Sequence, residues 1–266
     1  MTKHIRIAIA GPRGNMGTEA VKLADRTEHF DLCAVIDSKN NGSRLKDIAG
    51  MPAVDVPVYT DINQCFQENT IDVLIDLTNP ETGRKHLEAA LAHGVAPVVG
   101  TTGFTEADIE KLSREAQQKQ IGVVIAPNFA IGAVLMMKFA KMAAAYMPDV
   151  EIMEMHHDRK LDAPSGTAIK TAELIKENRD SRRQGHENET ESLAGARGAD
   201  IDGMKIHSVR LPGLVAHQQV MFGGAGQTLT IKHDSINRES FMPGVQLAVE
   251  HVVAHKELVY GLENIM

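Results

Sequence analysis

The sequence predicts an α/β fold: a Rossmann-like parallel-sheet domain joined to an α+β substrate domain with an open mixed or antiparallel sheet. Three observations carry this. The first half alternates short apolar runs with amphipathic stretches, the rhythm of βαβ units. A glycine-rich turn, IAIAGPRGNMG, stands directly after the first apolar run. Beyond Phe129 the rhythm gives way to a long apolar helical pattern and then to strand-like runs separated by Pro-Gly and Gly-Gly-Ala-Gly turns.

The elements follow in order. Ile5–Ala10, Leu32–Ile36, Val73–Leu77, Val95–Val99 and Gly122–Ile125 read as strands buried on both faces. The stretches Met16–Asp25, Asp61–Glu68, Glu81–His93 and Glu106–Lys119 read as the helices between them. A helix over Ile131–Tyr146 stops at Pro148, and a strand over Val150–Met155 follows. The next helix begins at Ser165. Arg179–Asp202 is polar and without period, and reads as a mobile loop. Lys205–Leu211, Leu214–Phe222 and Thr228–His233 then suggest an antiparallel meander. A last helix, Phe241–Tyr260, has Pro243 near its start and Gly261 past its end. These readings place a dinucleotide-binding domain at 1–128 with 237–266, and a substrate-binding and oligomerisation domain at 129–236. Hinges are expected near Asn128 and Asn237.

Composition narrows the function. The chain has 266 residues, 43% hydrophobic, and a formal net charge of −7. That balance argues against nucleic acid or an anionic membrane as partner, though not against a local pocket for a small anion. The apolar stretch in MTKHIRIAIAG is too short for a signal segment, and Phe129–Met147 carries Lys138 and Lys141. The expectation is a cytoplasmic protein. Cys33 and Cys65 are far apart and outside any zinc spacing, so they read as small hydrophobes rather than as a disulfide, ligands or a nucleophile.

Gly11, Gly14 and Gly17 lie between a strand and a helix. Glycine there permits a tight turn and close approach of backbone to a pyrophosphate, with the helix N-terminus offering unpaired N–H groups. The spacing is GxxGxxG, a weak motif alone. Asp37 ends the second strand, where a carboxylate can hold ribose hydroxyls and repel a 2′-phosphate. Arg13 and Lys39 stand ready to neutralise that phosphate, so NADH and NADPH both stay open. Gly100-Thr101-Thr102 and Ala126-Pro127-Asn128-Phe129 follow two further strands, at the edge where open α/β sheets bind ligands.

The stretch EMHHDRKLDAPSGTA, from Glu154 to Ala168, holds the remaining chemistry. Strand alternation puts His156 on one face with Glu154, Ile152 and Val150, and His157 on the other. Adjacent histidines chelate poorly and no third ligand is well spaced, so no metal is expected. Ser165 suits an N-cap. The Gly166 and Thr167 amides then form an anion receptor at the positive end of a helix dipole. Lys160 and a histidine beside it suit an acidic small molecule and a proton donor.

This stretch, with IAGPRGNMG, GTTGF and APNFAIG, closely resembles the dihydrodipicolinate reductase family of lysine and diaminopimelate biosynthesis, whose signature has the form E-x-H-H-x-x-K-x-D-A-P-S-G-T-A. The resemblance spans essentially the whole chain. It implies an NAD(P)H-dependent oxidoreductase and a homotetramer built on the second domain's sheet. The substrate it implies is the dicarboxylate 4-hydroxy-tetrahydrodipicolinate, which loses water and accepts hydride. It further implies His156 as proton donor and acceptor, Lys160 as second proton donor, and His157, Gly166 and Thr167 as substrate contacts. The implied cofactor contacts are Gly11, Pro12, Arg13, Gly14, Asn15, Met16, Asp37, Gly100, Thr101, Thr102, Ala126, Pro127, Asn128 and Phe129. One departure is Ser38, where members using both cofactors often carry arginine, which leaves strong NADPH use in doubt. Two other readings compete: a different Rossmann dehydrogenase, against whose aldehyde version the lack of a cysteine nucleophile counts, and a non-catalytic dinucleotide sensor, which needs no Lys160.

Overall fold

The computed structural model describes residues 4–101 and 103–266. Backbone contacts divide them into two units, one running to Phe129 and resuming at Phe241–Met266, the other Ala130–Ser240.

The first unit holds strands β1 (Ile5–Ala10), β2 (Phe30–Ile36), β3 (Val58–Tyr59), β4 (Val73–Asp76), β5 (Ala96–Val99), β6 (Val123–Ile125) and, at the far end of the chain, β12 (Leu258–Tyr260). They form one sheet in the order β12-β6-β5-β4-β1-β2-β3, with every pairing parallel. Helices α1 (Asn15–Arg26) and α7 (Met242–Ala254) touch each other on one face. Helices α2 (Ile62–Glu68), α3 (Pro80–His93) and α4 (Glu106–Lys119) cover the other. With both faces covered, every residue of β4 and β5 is buried, which is why these strands read as unbroken apolar runs. Ala8, Ala10, Ala34 and Leu74 pack against Ile62, Cys65 and Phe66 on one face. Burial pushes the Cys65 thiol up to about 12, in keeping with an inert core residue. Cys33 is only half-buried, its thiol donating to Asp31 O.

Local signals set the helix ends. Asp61 caps α2, Asn79 caps α3 with Pro80 behind it, and Thr105 and Asp108 close a capping box on α4. Two strands escape periodicity. β3 is two residues long, and β12 is three residues beyond α7 in a stretch expected to continue that helix. The helix ends at Ala254, and Leu258–Tyr260 instead adds a parallel edge to β6.

The second unit holds α5 (Ile131–Ala144), β7 (Asp149–His156), α6 (Gly166–Lys176), β8 (Ala199–Ile201), β9 (Met204–Arg210), β10 (Ala216–Gly224) and β11 (Gln227–Ser235). The sheet order is β11-β10-β7-β9-β8, and β7 pairs parallel to β9 but antiparallel to β10. This corrects the meander: β7 inserts between β9 and β10, so these two consecutive strands are not neighbours. Val150, Ile152 and Glu154 of β7 are fully or almost fully buried, and a central position gives them cover on both sides. α5 and α6 pack on that face of the sheet.

The expected loop Arg179–Asp202 is corrected as well. Its last residues form β8, turned into β9 by Asp202 and Gly203, both at positive φ, the geometry of a two-residue hairpin. Its first residue is anchored: buried Arg179 donates to the carbonyls of Pro148, Arg182 and Asp202. Among the described residues no helix is long and apolar enough to cross a membrane.

Candidate active site

In the first unit, parallel strands bring their C-terminal ends to one edge. Gly11–Met16 follows β1, Asp37 follows β2, Gly100 and Thr101 follow β5, and Ala126–Phe129 follows β6. Thr102 lies outside the described residues. The order reverses between β1 and β4, the switch point at which such sheets bind ligands.

The glycines differ in what they do. Gly11 has φ +81°, and a Cβ there would meet Leu77 O and Thr78 Cγ2 at 3.2 Å. Gly17 lies in the first turn of α1, where a Cβ would stand 1.9 Å from Gly11 O. Gly14 caps α1 with ordinary dihedrals and no side-chain hydrogen bond, and no acidic residue occupies the first turn. That leaves an exposed, positively polarised helix start, fitted to a phosphate.

Arg13 closes on buried Asp37 with two hydrogen bonds, Nη2 to Oδ1 at 2.6 Å and Nε to Oδ2. These bonds hold the Asp37 carboxyl below the usual carboxylate range. Sequence alone gives the two residues opposite effects on a 2′-phosphate, Asp37 repelling it and Arg13 neutralising it. They form a pair, so each meets a ribose or a 2′-phosphate with part of its hydrogen-bonding capacity already taken by the other.

Thr101 is 6% exposed, and its buried hydroxyl finds no hydrogen-bond partner among the described residues. It lies towards Gly83 of α3, where an added Cβ would stand 2.9 Å from it, and an orphaned hydroxyl at a ligand-binding strand end fits a polar group of a dinucleotide. Gly100 is pinched: a Cβ would fall 2.6 Å from Leu77 Cδ2 and 3.0 Å from the Phe129 ring.

Sequence reasoning missed the group beneath this edge. Asp76, fully buried at the end of β4, accepts from Thr78 N at 3.0 Å and Thr78 Oγ1 at 2.6 Å. His86 of α3 contacts its other oxygen at 2.5 Å. Asp76 thereby fixes the loop that packs on Gly11. The signal was an aspartate closing an otherwise apolar strand.

The second unit gathers its residues at the end of β7. Glu154 is fully buried, and His156 Nδ1 lies 2.6 Å from its Oε2. Arg210, at the end of β9, donates to both carboxylate oxygens at 2.9 and 2.7 Å. Ser165 N donates to Oε1 at 3.2 Å. Burial pushes Glu154 towards protonation, but the His156 and Arg210 hydrogen bonds outweigh it and hold the carboxyl down at about 2. Arg210 also grips the carbonyl of Asp162 at 2.7 Å. Neither partner was singled out from sequence, because Arg210 lies 56 residues from Glu154.

His157 follows β7, with its Nδ1 buried and unpartnered among the described residues. Ser165 caps α6 as expected, its hydroxyl accepting from Ala168 N at 3.2 Å. Gly166 is exposed, with nothing within 4 Å of an added Cβ. Thr167 stands beside it in the first turn, which has no acidic residue. Lys160 is turned onto Asp162, with contacts of 2.7 and 2.9 Å that keep this exposed aspartate ionised. Among the described residues, no group of three or more His, Cys, Asp or Glu is placed to hold a metal.

Comparison with known proteins adds a family. The model for the N-terminal part of dihydrodipicolinate reductase matches residues 5–129, and that for the C-terminal part matches 132–266. A 4-hydroxy-tetrahydrodipicolinate reductase of Shouchella clausii (strain KSM-K16) is 68% identical, over 98% of this chain and 99% of that protein. The enzyme so named from Geobacillus kaustophilus (strain HTA426) is 65% identical over 98% and 99%. The solved structure of dipicolinate-bound dihydrodipicolinate reductase from Paenisporosarcina sp. TG-14 superposes with a TM-score of 0.90 at 55% identity, covering 99% of this chain and all of that one. A looser likeness, TM-score 0.65 at 14% identity, to GenD2 of gentamicin A biosynthesis in complex with NAD reflects the fold alone.

Proposed function

Because the chain belongs to the dihydrodipicolinate reductase family, we propose that it reduces 4-hydroxy-tetrahydrodipicolinate to tetrahydrodipicolinate with loss of water, in diaminopimelate and lysine biosynthesis, using NADH or NADPH. The observation that carries this reading is the cluster at the end of β7. It joins a histidine on a buried carboxylate, a lysine and the Ser165-capped start of α6, whose first turn holds no acidic residue, within one unit.

Gly11–Met16, Asp37, Gly100–Thr102 and Ala126–Phe129 hold the cofactor, with the start of α1 on its phosphates and Thr101 completing its hydroxyl's hydrogen bond. A dihydronicotinamide supplies hydride. The chain's own residues do the rest. The Gly166 and Thr167 amides at the start of α6 hold one substrate carboxylate. His157 binds through its unpaired Nδ1, and Lys160 leaves Asp162 to offset the remaining charge. Reduction of the conjugated imine leaves an electron-rich centre that needs a proton. His156 provides it, and Lys160 is the second donor. An acid so placed is worth about 10²–10⁴-fold in rate.

The reading extends to a homotetramer in the cytoplasm. The face of the second unit's sheet opposite α5 and α6 carries Met153, Met155 and Met221, the last 41% exposed, and so offers apolar area to another copy. The test is oxidation of NADH and NADPH by the purified protein with and without the product of the preceding synthase. Oxidation only with that product supports the reading. Tight binding of NADH with no oxidation would make the protein a sensor.

A further inference from the structure

Glu154 is a carboxylate that meets no solvent, and besides Ser208 of β9 the groups that hydrogen-bond to it stand at the edge of the candidate site. His156 Nδ1 and Arg210 Nη1 reach Oε2, while Arg210 Nη2 and Ser165 N reach Oε1. A plain structural ion pair would be satisfied by Arg210 and the Ser165 amide. Here the strand alternation that sends Glu154 inward also sends His156 onto the same face, two residues on, and the ring closes on the carboxylate at 2.6 Å.

An ionised carboxylate accepts hydrogen bonds and donates none. The proton in that contact therefore sits on Nδ1, and Nε2 is left as the nitrogen that gains or loses a proton. We propose that Glu154 is the positioning residue of this site: it holds His156 as the Nδ1–H tautomer and directs its acid–base chemistry through Nε2, with Arg210 holding Glu154 in place. This rests on His156 being the proton-transfer group.

The arrangement explains why the carboxylate is buried so deeply. Isolated in the interior it would be protonated, and a protonated Glu154 could donate to His156 and reverse the tautomer. The two parallel bonds from Arg210 prevent this. The same guanidinium holds the Asp162 carbonyl, next to Lys160 in the chain, and the same carboxylate holds the Ser165 amide, which starts α6. Strand end, lysine loop and anion-binding helix start are thus tied to one charge. The groups facing His156 from its own strand and from β9 are Glu154 and Arg210, of opposite sign, so the ring is oriented beside a nearly neutral pair.

The experiment has two arms. In the first, long-range proton–nitrogen spectra of the histidine-labelled wild type, with His156 assigned from its loss in His156→Gln, report the tautomer directly. The expected result is the Nδ1–H form; the Nε2–H form overturns the proposal, whatever the activity. In the second, Glu154→Gln keeps the shape and removes the charge. The expected result is a fall in kcat of about 10²-fold or more, as when a histidine loses its orienting carboxylate. KM for both substrates should stay within about threefold, and His156 should no longer show a single tautomer. Unchanged kcat, or a change in KM alone, overturns the proposal. If Glu154→Gln does not fold, the wild-type tautomer still decides. If His156→Gln keeps full turnover, it is the role of His156 in the proposed function that fails, and the tautomer result stands apart from it.

Discussion

Gly17→Ala tests the nucleotide loop more sharply than any change at a polar residue. An alanine Cβ would stand 1.9 Å from Gly11 O, 2.7 Å from Gly11 C and 2.9 Å from Pro12 Cα. Ordinary carbon contacts lie near 3.5 Å, so the Gly11–Pro12 backbone must retreat by more than 1 Å. Alanine gains up to about 1 kcal/mol of helix propensity, against an overpacking cost of about 1–3 kcal/mol. The net is destabilising, by several degrees in Tm at about 2–4 °C per kcal/mol. A misplacement of about 1 Å can cost about 10²-fold in catalysis, and NADH affinity should fall as the displaced loop loses its close approach. Gly14→Ala is the control: its Cβ meets nothing nearer than Gly11 O at 3.4 Å, and its φ is already ordinary. Tm should hold there, and any loss of affinity then reports a clash with the ligand itself. Calorimetric titration with NADH and thermal unfolding of both variants are the assays. Wild-type Tm and affinity in Gly17→Ala would refute the claim that this glycine is needed for close approach.

Further outcomes follow from the same geometry. Asp37→Ala frees Arg13 from its ion pair, so NADH affinity should fall while NADPH binding holds or improves; equal losses for both cofactors would remove Asp37 from the ribose contact. Lys160→Ala should lose most turnover and keep wild-type affinity for NADH, and turnover within a few-fold of wild type would end its role as proton donor. Glu154 also makes an acid-stability prediction. Its folded-state value, about 2, lies below its ordinary 4.5, so the stabilisation is fully present above pH 4.5 and is lost as pH falls towards 2. That difference corresponds to about 3 kcal/mol. Denaturant unfolding of wild type and Glu154→Gln between pH 7 and pH 3 should show a shallower decline in the variant; parallel curves would contradict the assignment.

What could be read from sequence and what could not divides by range. The strands from β1 to β6 other than β3, and the helices between them, are legible because buried parallel strands and amphipathic helices each leave a periodic mark in contiguous residues. The Ser165 cap and the glycine loop are legible for the same reason. β3 and β12 are too short to show a period. The hairpin at Asp202-Gly203 carries a readable local signal, an Asp-Gly pair before an alternating run, at the end of an otherwise polar stretch without period. Strand order in the second unit was not legible at all, since nothing local in β9 says that β7 will stand between it and β10. The same holds for the site. His156, Lys160 and Ser165 fall in one stretch and announce themselves. Arg210 reaches Glu154 only through the parallel pairing of β7 with β9, and His86 reaches Asp76 only once α3 has docked on the sheet.

Hydride transfer from a reduced nicotinamide onto the cyclic imine derived from 4-hydroxy-tetrahydrodipicolinate is the step most directly open to measurement. The most direct measurement supplies NADH deuterated at the transferable position with the synthase product, and weighs the tetrahydrodipicolinate formed. One deuterium in the product of the wild-type protein, lost with turnover in His156→Gln and Lys160→Ala, is the predicted result. NADH bound but not consumed, or consumed with the label absent from tetrahydrodipicolinate, would contradict it.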